Sequence, residues 1–403
     1  MILWHSPPFG IGRALACMLD WRRGCGVERL EEEYAESLGV SHAILLPSAR
    51  TGISWALKAA IDSSATVLCP AFTCQVVHEA AVRSGAMVRL IDAAPGGFLM
   101  DPDAVDKASS GKYAVVLSEM YGYTYDLCRL PSAAGIAPAV RIVDMAMTVP
   151  SRVLLGRLAG SDFGVSSFGV GKCMYAGWGG MGFTHDASLA KEVRSIRESF
   201  LAAGGAWLPL KRALLVLQRT AMHQLNLYRL YRFAKALRDG LLTRQGTQAP
   251  TRTGLSERWK RKDDLSAEWR LPSSPVDRRL ALHNLRQSEW YCRQRLALAA
   301  RYHENLRDRQ GITRPPSSIY PLSHYTLRVS AAARRLVQSC LWARGVAVGT
   351  IFDFPGYLSA EEFSNASLVA SEVLNLPLNV NLSVADVDYI SECVADCVTR
   401  ALM

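Results

Sequence analysis

The spacing of hydrophobic residues divides the first half of the chain into alternating helices and strands. Leu30, Tyr34 and Leu38 recur at helical intervals, so we predict a helix over residues 28–38 that ends at Gly39. Short apolar runs typical of buried strands follow at residues 43–46, 66–69, 87–92, 113–118 and 141–144. Helices are predicted between them at residues 53–60, 75–83 and 103–108. Continuous apolar strands separated by helices indicate an α/β fold with a mostly parallel sheet.

The pattern changes after residue 198. The next stretch is apolar, basic and helical in spacing, and it continues into a polar, proline-bearing segment. A long helix follows, and then strand-like alternation and further helices reach the C-terminus. We therefore expect a large α/β domain over residues 1–198, a helical and polar insertion over 199–275, and a connecting long helix with a smaller α+β domain over 276–403.

Composition limits the classes of function. At 403 residues and 49% hydrophobic, the chain can bury a large core. Its net charge of +10 suits an anionic small-molecule substrate, whereas a nucleic-acid binder would cluster this charge with aromatic residues. The densest basic run, residues 252–262, lies in the polar segment and is interpreted as a solvated loop. We therefore expect small-molecule substrates and no nucleic-acid partner.

The cysteines and the N-terminus bear on the cellular compartment. Ten cysteines without a C-x-x-C pair or regular spacing argue against a disulfide framework or a metal site, so we expect reduced thiols. The N-terminus lacks the basic and apolar regions of a signal peptide. No apolar run reaches the roughly 18 residues of a membrane-spanning helix. A cytoplasmic protein without a metal is the expectation.

The most informative segment is residues 166–180, which places Lys172 between serines and glycines. A lysine amine can form a Schiff base with an aldehyde cofactor, and an arginine cannot. Upstream, residues 141–144 are predicted to form a buried strand that ends in Asp144. A strand-end carboxylate and a loop lysine suit pyridoxal phosphate, because the carboxylate can hold the pyridine nitrogen protonated while the lysine carries the aldehyde.

A phosphate group needs backbone N–H donors and hydroxyls, which a tight turn into a helix supplies. Residues 48–51, with the sequence Ser-Ala-Arg-Thr, offer such a turn, and Ser167 can add a second hydroxyl. Ser48 as a simple helix N-cap explains the same pattern, so this alternative stays open. Ligands of parallel sheets bind beyond the carboxyl ends of the strands, where Ser48, Asp144 and Lys172 all fall.

Further motifs accompany Lys172 along the chain. They are residues 30–35, residues 70–73, Tyr121-Gly122, Val143-Asp144, Ser167-Phe168, Gly177-x-Gly179-Gly180, residues 376–378 and residues 386–388. With these motifs the chain resembles the sugar aminotransferases of the DegT/DnrJ/StrS family, which have the pyridoxal phosphate-dependent fold of aspartate aminotransferase. The resemblance implies a homodimeric biosynthetic enzyme. It would move nitrogen from an amino acid, usually glutamate, onto a ketone, most often a nucleotide-linked ketosugar.

The resemblance also implies roles for individual residues. Lys172 would be the Schiff-base lysine and then the general base, and Asp144 would pair with the pyridinium nitrogen. The phosphate would be bound by Ser48, Ala49, Arg50 and Ser167.

Two cofactor-binding positions depart from the family pattern. Met147 stands where a glutamine usually contacts the ring hydroxyl, and Cys74 stands where an aromatic side chain usually stacks on the ring. Ring contacts influence which bond breaks in the substrate. A lyase, decarboxylase or elimination reaction with the same cofactor therefore stays open as an alternative.

Three more residues are candidates for substrate contacts. Tyr121 and Tyr123 follow a predicted strand end at the ligand edge, although a place in the core explains them equally well. Arg328 falls in a predicted strand of the small domain and can bind a donor carboxylate, unless it forms a surface salt bridge. Residues 208–242 combine leucines with basic residues, which suits peripheral contact with a membrane surface. We favour instead a helical hairpin packed on the large domain or in the dimer interface.

Overall fold

The computed structural model describes residues 2–3, 6–19, 25–128, 130, 137–202, 205, 207–225, 227, 267–352 and 354–403. The strands in these residues are β1 (His42–Leu46), β2 (Thr66–Pro70), β3 (Met87–Ile91), β4 (Tyr113–Ser118), β5 (Arg141–Asp144), β6 (Asp162–Ser167), β7 (Gly180–Thr184), β8 (Tyr325–Arg328) and β9 (Val373–Leu376). The α-helices are α1 (Ile11–Leu19), α2 (Val27–Leu38), α3 (Ala49–Ala60), α4 (Gln75–Val82), α5 (Pro102–Ala108), α6 (Arg152–Leu155), α7 (Ala187–Phe200), α8 (Leu208–Gln224), α9 (Pro275–Asn305), α10 (Ala331–Ala343), α11 (Ser364–Glu372) and α12 (Val384–Leu402).

Seven strands form one sheet in the order β1-β7-β6-β5-β4-β2-β3. Each neighbouring pair among strands β2 to β6 is parallel. Strand β7 is antiparallel to both of its neighbours, β6 and β1. The sheet is mostly parallel, so the predicted α/β fold class is confirmed. The register pairs Ser118 of β4 with Asp144 of β5, which brings the carboxyl ends of these two strands together.

Helices cover both faces of this sheet because successive strand side chains point to opposite faces. Over one face, α3 packs with α4 and α7 in a core that contains Trp55 and Ile142. Over the other face, α2 and α9 pack through Tyr34 and Leu280 against Val143 and other sheet residues. The carboxyl end of β5, which carries Asp144, thus lies between two apolar layers.

The C-terminal part has its own small sheet and core. Strands β8 and β9 pair antiparallel, and α9, α10, α11 and α12 contribute to the apolar cluster around them. Phe72 and Tyr121, which follow β2 and β4, belong to the same cluster. The C-terminal part therefore packs directly against the loops at the carboxyl edge of the large sheet.

One pair of cysteines differs from the expectation of reduced thiols. Cys340 of α10 and Cys397 of α12 form a disulfide with their Cα atoms 5.8 Å apart, a separation that suits such a bond. The expectation is therefore wrong at this pair. The two residues are 57 positions apart, and only the packing of α10 on α12 brings them together.

The region predicted as an insertion is described in part. Helix α8 confirms a helix at the start of the apolar and basic stretch, with Trp207, Leu210 and Leu214 exposed. Residues 228–266, which include most of the polar segment and the basic run at 252–262, lie outside the described residues. In the part of the chain that is described, no helix has both the length and the apolar character needed to cross a membrane.

Candidate active site

A cavity of about 360 Å³ lies at the carboxyl ends of β2, β4, β5 and β6, beside the start of α3. The residues predicted to bind the cofactor all line it: Ser48, Ala49, Arg50, Cys74, Asp144, Met147, Ser167 and Lys172. They are far apart in sequence, and parallel strands bring them together because each strand ends at the same sheet edge. The volume lies at the lower end of the range of small-molecule sites.

The turn into α3 forms one part of the cavity wall. Ser48 is the N-cap residue, and its Oγ accepts a hydrogen bond from the Thr51 backbone N–H at 3.2 Å. The interpretation of Ser48 as an N-cap is therefore confirmed. The first N–H groups of a helix have no partners within the helix and lie at the positive end of its dipole. The same turn therefore also suits an anion such as a phosphate.

Gly180, the first residue of β7, allows this turn to lie close to strands β6 and β7. A Cβ at Gly180 would lie 2.6 Å from the Ser166 carbonyl oxygen, 3.0 Å from the Ala49 nitrogen and 3.2 Å from the Ser48 carbonyl carbon. A larger residue would have to displace backbone atoms of the turn. Gly180 thus has a packing role at the predicted phosphate end of the cavity.

Arg50 and Ser167 lie beside the turn. Ser167 ends β6, and its Oγ accepts a hydrogen bond from the Gly169 N–H at 3.3 Å. The Arg50 guanidinium lies over the buried Trp269 ring, 5.6 Å from the centroid, and Arg83 lies over the same ring at 5.2 Å. Two guanidinium groups around one indole keep positive charge near the turn.

Lys172 and Asp144, the two residues predicted to be catalytic, both line the cavity. The Lys172 Nζ lies 3.2 Å from the Sδ of Met147. Asp144 accepts a hydrogen bond from the Ala146 N–H at 3.0 Å. Burial raises the pKa of Asp144, while the charge of Lys172 and the Ala146 N–H oppose this effect. A cationic partner in the cavity would therefore favour the ionised form of Asp144.

Several polar and aromatic residues of the cavity were missed at the level of sequence: Thr73, Ser118, Glu119, Trp178 and Phe352. Thr73 lies in one of the family motifs, and its Oγ1 donates a hydrogen bond to the Ser118 Oγ at 2.9 Å. Ser118 and Glu119 come at a strand end, so the rule that located Asp144 could have located them. Phe352 has no comparable signal, because it reaches the cavity from the C-terminal part.

The two tyrosines predicted to contact substrate lie in the core next to the cavity. The Tyr121 hydroxyl donates a hydrogen bond to the Ile351 carbonyl at 2.7 Å, and its ring packs 6.2 Å from Phe352. Tyr123 packs 5.3 Å from the Phe98 ring. Neither tyrosine lines the cavity. Tyr121 instead holds the segment of Ile351 and Phe352, and Phe352 is part of the cavity lining.

Arg328 lies in β8, outside the cavity lining. Its Nε forms an ion pair with Glu372 at 2.9 Å, and its Nη1 donates a hydrogen bond to the Gly96 carbonyl at 2.6 Å. The salt-bridge alternative describes this geometry better than a substrate carboxylate does.

The sequence pattern of one enzyme family matches the part of the chain that builds most of this cavity. It is the DegT/DnrJ/EryC1/StrS aminotransferase family, and the match covers residues 14–205. Over these residues the chain is similar to that family. The resemblance inferred from the sequence is confirmed for the part that contains Ser48, Asp144 and Lys172.

Two relatives illustrate the extent of the similarity. The 3-amino-5-hydroxybenzoate synthase of Amycolatopsis mediterranei is 29% identical over 195 residues, which are 47% of this chain and 50% of that protein. The erythromycin biosynthesis sensory transduction protein EryC1 of Saccharopolyspora erythraea is 25% identical over 377 residues, which are 90% of this chain and 87% of that protein. The chain therefore spans about half the length of the first relative and most of the second.

Solved structures extend the likeness to the whole fold. Spr1654 from Streptococcus pneumoniae, in its PLP form, matches with a TM-score of 0.72 and 17% identity over 100% of both chains. The same protein in its PMP form matches with a TM-score of 0.73. At this identity the likeness establishes the fold, which is that of the PLP-dependent sugar aminotransferases.

Proposed function

We propose that the chain is a pyridoxal 5′-phosphate (PLP)-dependent aminotransferase. It takes an amino group from an amino acid, with glutamate as the donor, and transfers it to a ketone. The acceptor is a nucleotide-linked ketosugar or a related biosynthetic ketone. The observation that supports this proposal is that Lys172 and Asp144 line one cavity together with the turn into α3, whose first N–H groups suit an anion.

The chemistry of the cavity residues fits PLP. Lys172 provides an amine for the aldehyde, and Asp144 provides a carboxylate for the ring nitrogen. The first turn of α3 and the Ser167 hydroxyl provide donors for the phosphate. Because Gly180 has no Cβ, the backbone of this turn can lie beside β6 and β7. Met147 and Cys74 offer an apolar surface for a ring and no strong hydrogen bond.

PLP, when bound, supplies an electron sink for the negative charge that develops at the substrate α-carbon. Asp144 holds a proton at the pyridine nitrogen, which keeps the sink effective. Lys172 Nζ accepts the proton from the substrate α-carbon and returns it to another carbon as general base and acid. The apolar side chains of Met147 and Phe352 reduce access of water to this exchange.

The remaining expectations belong to the same proposal. The active unit is a homodimer in the cytoplasm, and exposed apolar side chains such as Leu19 and Trp207 are consistent with a protein partner. The chain divides into a PLP-binding part over 1–198, an insertion over 199–275 and a C-terminal part over 276–403. Light scattering during gel filtration tests the dimer, because a monomer at working concentration would contradict it.

A second reaction with the same cofactor has one observation in its favour. The Met147 sulfur lies 3.2 Å from the Lys172 Nζ, where it cannot donate the strong hydrogen bond of an amide. Loss of a polar ring contact alters which substrate bond is weakened. A lyase, decarboxylase or elimination enzyme would follow from this difference.

One experiment separates the two reactions. The PLP-loaded protein is incubated with glutamate, and its absorbance spectrum and the released 2-oxoglutarate are followed. Transamination predicts conversion to the pyridoxamine form with one 2-oxoglutarate per site. Lys172→Ala should abolish the conversion, and Lys191→Ala, an exposed residue on α7, should not. Release of carbon dioxide or an eliminated group, with the PLP form retained, would favour the second reaction. No spectral change with any amino donor would refute the aminotransferase proposal.

A further inference from the structure

The proposed reaction leaves one buried acid of the cavity without a role. Glu119 follows β4 directly and is 1% exposed, yet it is part of the cavity lining. Its backbone N–H donates a hydrogen bond to the Asp144 carbonyl at 3.0 Å, across the β4–β5 pair in which Ser118 and Asp144 are register partners. The chain therefore places a second carboxyl beside the proposed partner of the pyridine nitrogen.

Arg157 fixes one side of this carboxyl. Its Nη2 donates to the Glu119 Oε1 at 2.7 Å, and its Nη1 donates to the Tyr125 carbonyl at 3.1 Å. The guanidinium also lies 5.0 Å from the centroid of the Tyr320 ring. The Glu119 Oε2 is buried and has no hydrogen-bond partner of good geometry among the described residues. Arg157 thus anchors the carboxyl through one of its two oxygens.

The charged groups around Glu119 come from several elements. Arg157 lies after α6, Asp144 ends β5, and the Tyr125 backbone N–H lies in the loop after β4. Lys172 acts on Asp144 from the loop after β6. Burial raises the pKa of Glu119 and the charge of Asp144 adds to this effect, whereas Arg157 and the Tyr125 N–H oppose it, which leaves the pKa at about 7. Glu119 therefore exchanges a proton near neutral pH.

We propose that Glu119 is a positioning residue for the cofactor ring, which acts through Asp144 by setting the net charge at that end of the cavity. The inference rests on the proposed function. With Glu119 protonated, the charges of Asp144 and Arg157 cancel. With Glu119 ionised, this group of three carries one negative charge, which stabilises a protonated ring nitrogen more strongly. The cofactor therefore binds more tightly once Glu119 has lost its proton.

PLP titrations of the cofactor-free protein test this inference. The affinity of wild type relative to Glu119→Gln should rise about tenfold between about pH 5 and about pH 9, which corresponds to one pKa unit of coupling. Glu31→Gln is a matched control, because Glu31 is a buried acid paired with Arg194 at 3.2 Å and lies outside the cavity lining. This control should keep the wild-type pH dependence.

A second readout needs no cofactor. A carboxyl whose folded pKa exceeds its ordinary value stabilises the fold when protonated. The stability of the cofactor-free wild type relative to Glu119→Gln should therefore fall as the pH rises from about 4.5 through about 7. If Glu119→Gln does not fold, Glu119→Asp replaces it. The shorter side chain withdraws the carboxyl from Arg157, so the midpoint of the pH dependence must shift.

The outcomes are distinct. An affinity ratio that is equal at both pH values, or an unchanged midpoint in Glu119→Asp, overturns the role of Glu119. In that case wild type still binds PLP with a visible absorbance band, and the proposed function stands. A wild type that never acquires this band contradicts the proposed function and, with it, the role of Glu119.

Discussion

Replacement of Gly180 by alanine tests how the phosphate end of the cavity is built. The added Cβ would lie 2.6 Å from the Ser166 carbonyl oxygen and 3.0 Å from the Ala49 nitrogen. The first distance is shorter than real Cβ contacts and the second is tighter than most of them, so the backbone must move. Overpacking of this kind costs about 1–3 kcal/mol of stability. Displacement of the turn removes at least one charge-assisted hydrogen bond to the phosphate, worth about 1.5–3 kcal/mol. PLP affinity should therefore fall about tenfold to a hundredfold.

Gly182→Ala is the matched control in the same strand. Its Cβ would lie 2.5 Å from the Phe163 Cζ, which is a core side chain and not part of the phosphate turn. Both variants should lose stability in urea unfolding, and only Gly180→Ala should lose PLP affinity in a fluorescence titration. Equal PLP affinity in the two variants would refute the assignment of the phosphate to the turn before α3.

Three further predictions concern the lysine, a buried ion pair and a second buried acid. Lys172→Ala should abolish the visible PLP band and turnover with little change in melting temperature, because among the described residues its Nζ has one hydrogen-bond partner, the Met147 sulfur at 3.2 Å. A retained band would contradict this. Arg141→Ala should cost about 3–5 kcal/mol in urea unfolding, because it removes the two hydrogen bonds of 2.7 and 2.8 Å that Arg141 donates to the fully buried Asp162 carboxylate. A loss below about 1 kcal/mol would contradict the burial of the pair. Burial raises the pKa of Asp277 from 3.8 to about 6. Wild type should therefore lose about 3 kcal/mol of stability relative to Asp277→Asn as the pH rises from about 3 to about 8, and a constant difference would contradict that pKa.

Much of the fold was accessible from hydrophobic spacing because buried parallel strands are short, apolar and separated by helices. The predicted strands at 113–118 and 141–144 coincide with β4 and β5. Strands β6 and β7 were not predicted as strands, because serines and glycines interrupt their apolar pattern. Those same residues, such as Ser167 and Gly180, line or support the cavity.

The site was predictable where it depends on strand ends and not where it depends on packing between distant parts. Asp144 and Lys172 could be placed at one sheet edge because parallel strands end together. Phe352 could not be placed in the cavity from the sequence. Its position there depends on the packing of the C-terminal part and on the hydrogen bond between Tyr121 and Ile351. Arg328 has the right chemistry for a carboxylate, but only the structure pairs it with Glu372.

The most direct measurement is chemical reduction of the PLP-loaded protein followed by peptide mapping. Borohydride fixes the cofactor to the amine that holds it, and mass spectrometry then locates the modified peptide. The proposed function predicts the label on Lys172, with loss of the label in Lys172→Ala. A label on another lysine, or no label in protein that has been incubated with PLP, would contradict it.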